Sequence, residues 1–336
     1  CNECKFNGIG GGNNNSSCNE VPALIIKGAQ GTNNSTSVLG NIEISRKYIQ
    51  DITQGCNSTV SKCRPGSNLN LGYEVHVFEG DFDFSKLMVD GYCKLDISIN
   101  MSSRSVNINP QQSEQNFFNY AMLNLCEALP NESVEFTAIP QFIHFLNQSN
   151  YNALSVLNTD KDSLVFSLKP ALVNRNASIS YEIGRNSDMP FTYFCQSAGA
   201  PPCPVNLLGA LVEGFYCSKS NGDIAFTPTQ SNQGGVMVVE CEEWKRNSLG
   251  VYYLAGVVRR DVYSEVISAN NNLPNIKTKL GLYKICEGDN FSLELNAEDL
   301  PFGLSSNDTV SLDLYTALPG ASIEKIAVNY APYFKY

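Results

Sequence analysis

The chain has 336 residues, 43% hydrophobic and 10% aromatic, which is too apolar for a disordered protein and long enough for two or three domains with a large core. Acidic residues exceed basic ones by 33 to 23, a net charge of -10, and the basic pairs Lys245 with Arg246 and Arg259 with Arg260 stand alone, so a nucleic-acid partner is excluded by repulsion from phosphate. No apolar run approaches the roughly 18 to 20 residues of a membrane-spanning helix, and no transmembrane segment is expected.

Residues 1–20 are rich in Gly, Asn and Ser, without periodicity, and begin at Cys1. A chain that starts at Cys rather than Met is read as cut, most simply by signal-peptide removal, which predicts an extracellular or cell-surface location. "VPALIIK" (21–27) is a lone strand, and Gly and Asn break it in "GAQGTNNSTSVLGN" (28–41). In "IEISRKYIQDITQGC" (42–56), Ile44, Tyr48, Ile49 and Ile52 recur near 3.6 residues and predict a short helix.

From Tyr73 the pattern becomes β. "YEVHVFEGDFDF" alternates, and in "YCKLDISINM" Cys93, Leu95, Ile97, Ile99 and Met101 face one way while Lys94, Asp96, Ser98 and Asn100 face the other. "QNFFNYAMLNLCEAL" (115–129) interrupts with helical spacing, Phe117, Phe118, Ala121, Met122 and Leu125 forming one stripe. "SVEFTAI" and "DSLVFSLKPAL" read as strands, and "NASISYEIG" turns Ile179, Tyr181 and Ile183 inward. "RNSDMPFTYFCQSAGAPPCPVN" (185–206) is a loop pinned by a disulfide. Beyond it "GVMVVECEEW", "LGVYYLAGVVRRDVYSEVIS", "TKLGLYKIC", "NFSLELNAEDL", "TVSLDLYTA" and "ASIEKIAVNYAPYFKY" are strand-like, separated by turn signals at antiparallel spacings. The expected architecture is mainly β: two antiparallel β-sandwich-like domains with a few short helices, stapled by disulfides. They divide into an arm with a short strand at 1–35, a β-rich domain at 36–185, and a second sandwich-like domain at 186–336 that ends in a long strand.

Twelve cysteines, Cys1, Cys4, Cys18, Cys56, Cys63, Cys93, Cys126, Cys195, Cys203, Cys217, Cys241 and Cys286, form an even, scattered set that favours disulfides over metal. Only "CNEC" has zinc-like spacing, and no second CxxC or nearby His completes it. Cys56 with Cys63, Cys195 with Cys203, and Cys217 with Cys241 read as local loops. Eleven Asn-x-Ser/Thr triplets begin at Asn14, Asn15, Asn33, Asn34, Asn57, Asn100, Asn131, Asn147, Asn176, Asn290 and Asn307. With 38 Asn and 46 Ser plus Thr, chance supplies roughly 5, so an N-glycosylated, secreted chain is expected.

The enzyme signatures GxSxG, HExxH and the Walker loop are absent. His76 and His144 both sit among apolar residues and read as structural. Glu79, Asp81 and Asp83 at spacing two, and Glu240 with Glu242 beside the only tryptophan, Trp244, are the carboxylate groups able to hold calcium or to serve a glycosidase. Asp160 and Asp162 in "NTDKDS" begin like a calcium loop but lack its Gly and terminal Glu, so no cofactor is expected. The leading expectation is therefore a structural or adhesive subunit of an extracellular filament or surface assembly, whose partners are copies of itself joined by exchange of a terminal strand or arm. The alternative is a glycan-binding module using Trp244, Tyr252 and Tyr253, with partners among glycans or cell-surface proteins. A glycoside hydrolase pairing Asp81 or Asp83 with Glu240 or Glu242 ranks third.

Overall fold

The computed structural model describes residues 24–30, 37–53, 60–61, 63–67, 72–101, 116–125, 131–140, 143–160, 162–196, 203–278, 288–299 and 322. Of these, 50% are strand and 2% helix, and the sheets are antiparallel apart from one short parallel pairing, so the mainly β class holds. In chain order the elements are β1 (Leu24–Gln30), β2 (Ser37–Ile42), β3 (Ser45–Asp51), β4 (Glu74–Glu79), α1 (Ser85–Val89), β5 (Tyr92–Met101), β6 (Phe117–Asn124), β7 (Glu135–Phe136), β8 (Ile143–Phe145) and β9 (Asn150–Asn152). They continue as β10 (Val156–Leu157), β11 (Ser163–Leu168), β12 (Leu172–Asn174), β13 (Ala177–Ser178), β14 (Phe215–Cys217), β15 (Ile224–Phe226), β16 (Gln233–Arg246), β17 (Tyr252–Ile267), β18 (Asn275–Thr278) and β19 (Leu295–Glu298).

One large sheet runs β11-β16-β17-β6-β5-β1-β2, with β8, β12 and β13 attached to its side. It takes strands from both sides of the expected boundary at residues 185/186: β11 bonds to β16, and β6 bonds to β17. The long hairpin β16–β17 is its spine, and nine consecutive residues, Gln233 to Cys241, are buried. Both faces of this strand are covered, which explains why its sequence is a continuous apolar run rather than an alternating one. Met237, Val239 and Cys241 face a cluster with Phe166, Phe191, Phe226 and Ile224, beneath the small sheet β14-β15-β9. Val236 and Val238 face the other way, under Ala171 and Ile179 of the β12–β13 hairpin. Full burial of a side chain such as Phe226 contributes about 1.5–3 kcal/mol. At the far end, Ile26, Ile42, Leu87 and Leu95 make a third cluster under α1.

Both expected helices are strands. Ser45–Asp51 pairs with β4, and Phe117–Asn124 lies between β5 and β17 with Phe118 buried. The local spacing suits a helix, but the ladder bonds offered by two neighbouring strands decide the outcome. β5 keeps its expected alternation in part: Leu95 is fully buried and Lys94 and Asn100 are exposed, but Ser98, expected on the wet face, is buried and donates to the Ile25 carbonyl at 3.4 Å. β2 arises within the stretch read as a loop. Ile183, expected inward, is fully exposed, because β13 ends at Ser178 and the chain turns at residues 183–184. The segments 1–23 and 323–336, with the expected arm and final strand, lie outside the described residues.

Candidate functional site

The outer end of the β16–β17 hairpin brings together the aromatic residues singled out from the sequence. Trp244 pairs with Leu254, and Arg246 with Tyr252, so Trp244, Arg246 and Tyr252 share one face. Trp244 is half-buried, and its Nε1 donates to Glu242 at 3.0 Å. Tyr252 is 48% exposed, and the Arg246 guanidinium lies 4.4 Å from its ring centroid. Val165, beside Glu242 on β11, and Val251 and Leu249 at the hairpin end are also exposed. Two aromatic rings flanked by a carboxylate and a guanidinium form a platform that can stack on a sugar and hydrogen-bond its hydroxyls. Tyr253 is not part of it; alternation sends its side chain to the other face, where its hydroxyl is buried.

The carboxylates separate into structural roles. Glu79 ends β4 and pairs with Lys47. Asp81 and Asp83 lie beyond the strand; Asp83 is bonded by the Ser85 side chain and by the Ser85 N–H at 2.9 Å at the start of α1, which lower its pKa, while Phe82 and Phe84 turn inward. Glu240 is buried on the opposite face of β16 from Cys241, where Arg259 (3.6 Å), Lys169 (3.4 Å) and the Tyr120 hydroxyl (3.4 Å) surround it. Asp81 and Asp83 follow β4, whereas Glu240 and Glu242 lie on β16. Asp160 and Asp162 hold the ammonium of Lys245, at 2.7 and 3.7 Å, where a calcium-loop reading would put the ion. His76 is bonded to Glu74 at 3.2 Å. His144 is fully buried against Phe191 and Phe226, and burial pushes its pKa down to about 4.

A carboxylate that sequence reasoning passed over is the most enclosed. Glu243 is fully buried and accepts the Val134 N–H and, at 3.0 Å, Asn131 Nδ2; burial raises its pKa. The only signal for it in the sequence is its place in "ECEEW", where alternation puts it on the same side as Cys241.

The structure also sorts the sequons. Asn100, Asn147, Asn176 and Asn290 are exposed, Asn147 in a left-handed turn (φ 57°) and Asn176 at the tip of β12–β13. Asn131 differs: the nitrogen that would carry a sugar is the one bonded to Glu243, and its Oδ1 is buried, so the expectation of a glycan does not extend to Asn131 in the folded chain. Asn14, Asn15, Asn33, Asn34, Asn57 and Asn307 lie outside the described residues.

Cys195 and Cys203 form the expected local disulfide, with Cα atoms 6.0 Å apart. Glu213 Oε1 lies 3.6 Å from Cys203 Sγ, and this trio is the one grouping of metal-ligand atoms among the described residues; with both sulfurs in a disulfide it offers no thiolate to a metal. Cys63 and Cys93 are also disulfide-bonded. The expected Cys217–Cys241 bridge is absent: both are free thiols, Cys217 on the small sheet and Cys241 facing Phe166 across β11–β16. Cys1, Cys4, Cys18, Cys56, Cys126 and Cys286 lie outside the described residues.

A second candidate surface is backbone rather than side chain. β2 is the last strand of the large sheet, with β1 as its one neighbour among the described residues, and Val38 on it is 65% exposed. Such an edge carries N–H and C=O groups that another strand can bond. No family model, curated protein or solved structure matches the chain.

Proposed function

We propose that this protein is a secreted, glycosylated structural or adhesive subunit, and that it assembles with its own copies by adding a strand to the edge of β2 that no other described strand covers. The single observation that carries this reading is that edge, at the end of a ten-stranded sheet, with an exposed valine where isolated sheets place charge or proline. The sequons and the even cysteine set support an extracellular setting. A candidate donor is the apolar segment 321–336; residues 24–27 of the segment 21–27 already sit in β1, between β5 and β2. The test is electron microscopy and light scattering of the secreted protein alongside Val38→Lys and a chain shortened by residues 321–336. Filaments or oligomers are expected for the parent and monomers for the lysine variant. Equal assembly of all three, or a parent that is monomeric at every concentration, refutes the proposal.

A glycan-binding reading is favoured by one further observation, the shared face of Trp244 and Tyr252 with Glu242 and Arg246. Glycan-array binding that disappears in both Trp244→Ala and Tyr252→Ala is the outcome this reading requires.

A further inference from the structure

Residues 189–212 contain no Asp, Glu, Lys, Arg or His, although 17% of the chain is charged and about four such residues are expected in a run of that length. Inside this run every residue from 204 to 210 is exposed, and all but Asn206 and Gly209 are apolar. Leu208 is 96% exposed, and Val205 and Leu207 are exposed beside it.

The stretch crowns a narrow hairpin. Asn206 and Glu213 exchange two backbone hydrogen bonds of 3.0 Å that close its neck, and the residues between them read "LLGALV". Asn206 Oδ1 accepts the Leu208 N–H at 3.0 Å and sets the turn. Below the neck the chain is braced. Cys203 is bridged to Cys195, the buried Val212 donates its N–H to Ser149 Oγ at 2.9 Å, and the buried Glu213 accepts the Gln196 N–H at 2.8 Å. Gly214, at φ 81°, packs so close to the other arm that a Cβ there would lie 3.0 Å from the Pro204 carbonyl oxygen. The apolar crown is therefore held out in water by a built pedestal.

Scattered exposed apolar residues are ordinary, but a contiguous set without charge marks a contact surface. A stable protein interface takes about 20–30 residues a side and a polar rim, far more than this crown offers. A bilayer asks for less: it accepts any apolar side chain without matching its shape, and it penalises charge, which the run lacks. Irregular backbone does not enter the hydrocarbon core, so contact is limited to the headgroup–acyl boundary, about 5–10 Å deep. A net charge of -10 disfavours anionic headgroups and points to a zwitterionic surface.

We infer that this hairpin is a membrane-contact tip, which seats Val205, Leu207 and Leu208 in the interface of a zwitterionic phospholipid bilayer. The inference goes beyond assembly through β2 and stands independently of it, because the tip and that edge share no residue.

Phosphatidylcholine vesicles serve as the probe, in flotation with the intact protein. Co-flotation is expected, and it is expected to be equal between about 0.1 and 0.5 M salt, since no ion pair carries it. Leu208→Asp is expected to lower the partition coefficient roughly tenfold or more and to leave Tm unchanged, because the side chain lies outside every core cluster. Leu208→Trp is expected to bind and to be quenched by brominated acyl chains. Leu249→Asp, at a leucine 84% exposed in the β16–β17 turn, and Val38→Lys, at the β2 edge, are expected to float like the parent. A parent that does not float, or flotation that survives Leu208→Asp or is lost equally in Leu249→Asp, overturns the inference. So does a parent that forms an oligomer without floating and that Leu208→Asp dissociates, since the tip would then serve a protein contact.

Discussion

Glu243 and Gly256 stand opposite each other on β16 and β17, and the carboxylate of the first fills the space that a side chain on the second would take. A Cβ at position 256 would lie 1.9 Å from Glu243 Oε2 and 3.1 Å from Asn131 Nδ2. Gly256→Ala must therefore displace the carboxylate from its bonds to Val134 and Asn131, leaving buried groups unpaired. A loss of about 2–3 kcal/mol is expected, read from urea unfolding. Adding Glu243→Ala should recover part of it, because the two changes act on one volume, and a coupling of at least ~0.5 kcal/mol is expected. Strict additivity of the two losses would show that the clash is not the cause.

His144 makes stability fall in mild acid. Its folded pKa is lowered to about 4, below the roughly 6.5 of an unfolded histidine, so the unfolded chain binds the proton first as pH drops. The contribution is complete above pH ~6.5 and declines as pH falls toward about 4, by about 3 kcal/mol in all. His144→Phe keeps an aromatic ring against Phe191 and Phe226 and removes the titration. Chemical unfolding at several pH values should give a flatter profile for the variant across this range. Parallel profiles would place the acid sensitivity elsewhere.

Phe118 illustrates how far the pattern in the chain carries. Its segment has apolar residues at helical spacing, yet Asn119 donates through Nδ2 to the Arg259 carbonyl and the backbone bonds to β5. The first of these contacts joins residues 140 apart, and no local window contains it. β5 and β16 were legible as strands from their own residues, by alternation in "YCKLDISINM" and a continuous apolar run in "GVMVVEC", although the burial of Ser98 on the polar side of β5 was not. The face shared by Trp244 and Tyr252 was partly legible, since both residues stood out, but their pairing depends on the hairpin register and on the irregularity at Glu243/Trp244. The burial of Glu243 was not legible, because Val134 and Asn131 reach it from more than 100 residues away.

The sequons divide into available and enclosed positions. Expressed through a eukaryotic secretory pathway, the chain is expected to carry sugar at some of Asn100, Asn147, Asn176 and Asn290, which are exposed. Asn131 is expected to carry no sugar in the folded chain, since its Nδ2 is turned against Glu243 and the backbone of Gly256, where a glycan has no room. Deglycosylation in heavy-oxygen water followed by peptide mass spectrometry reads each site. Full occupancy at Asn131 in folded material would mean that the sugar is added before folding and that the folded chain accommodates it without the Asn131–Glu243 bond. Asn131→Gln is expected to destabilise by about 1–3 kcal/mol, because Glu243 loses a bonding partner in a buried place.

The two thiols that are free among the described residues give a sharper test of the core. Burial pushes the pKa of Cys217 up to about 11 and that of Cys241 up to about 12, with nearby carboxylates adding to the shift. At pH 8 the thiolate fractions are then about one in a thousand and one in ten thousand, and only the thiolate is an efficient nucleophile. Neither should react with an alkylating reagent in the native state over minutes, and both should react after unfolding without reductant. Peptide mapping assigns the label to Cys217 and Cys241 individually. A failure to label them in denaturant would show that they are joined as a disulfide. Cys241→Ala, which leaves a small void against Phe166, is expected to cost about 1–2 kcal/mol and to leave the labelling of Cys217 dependent on unfolding.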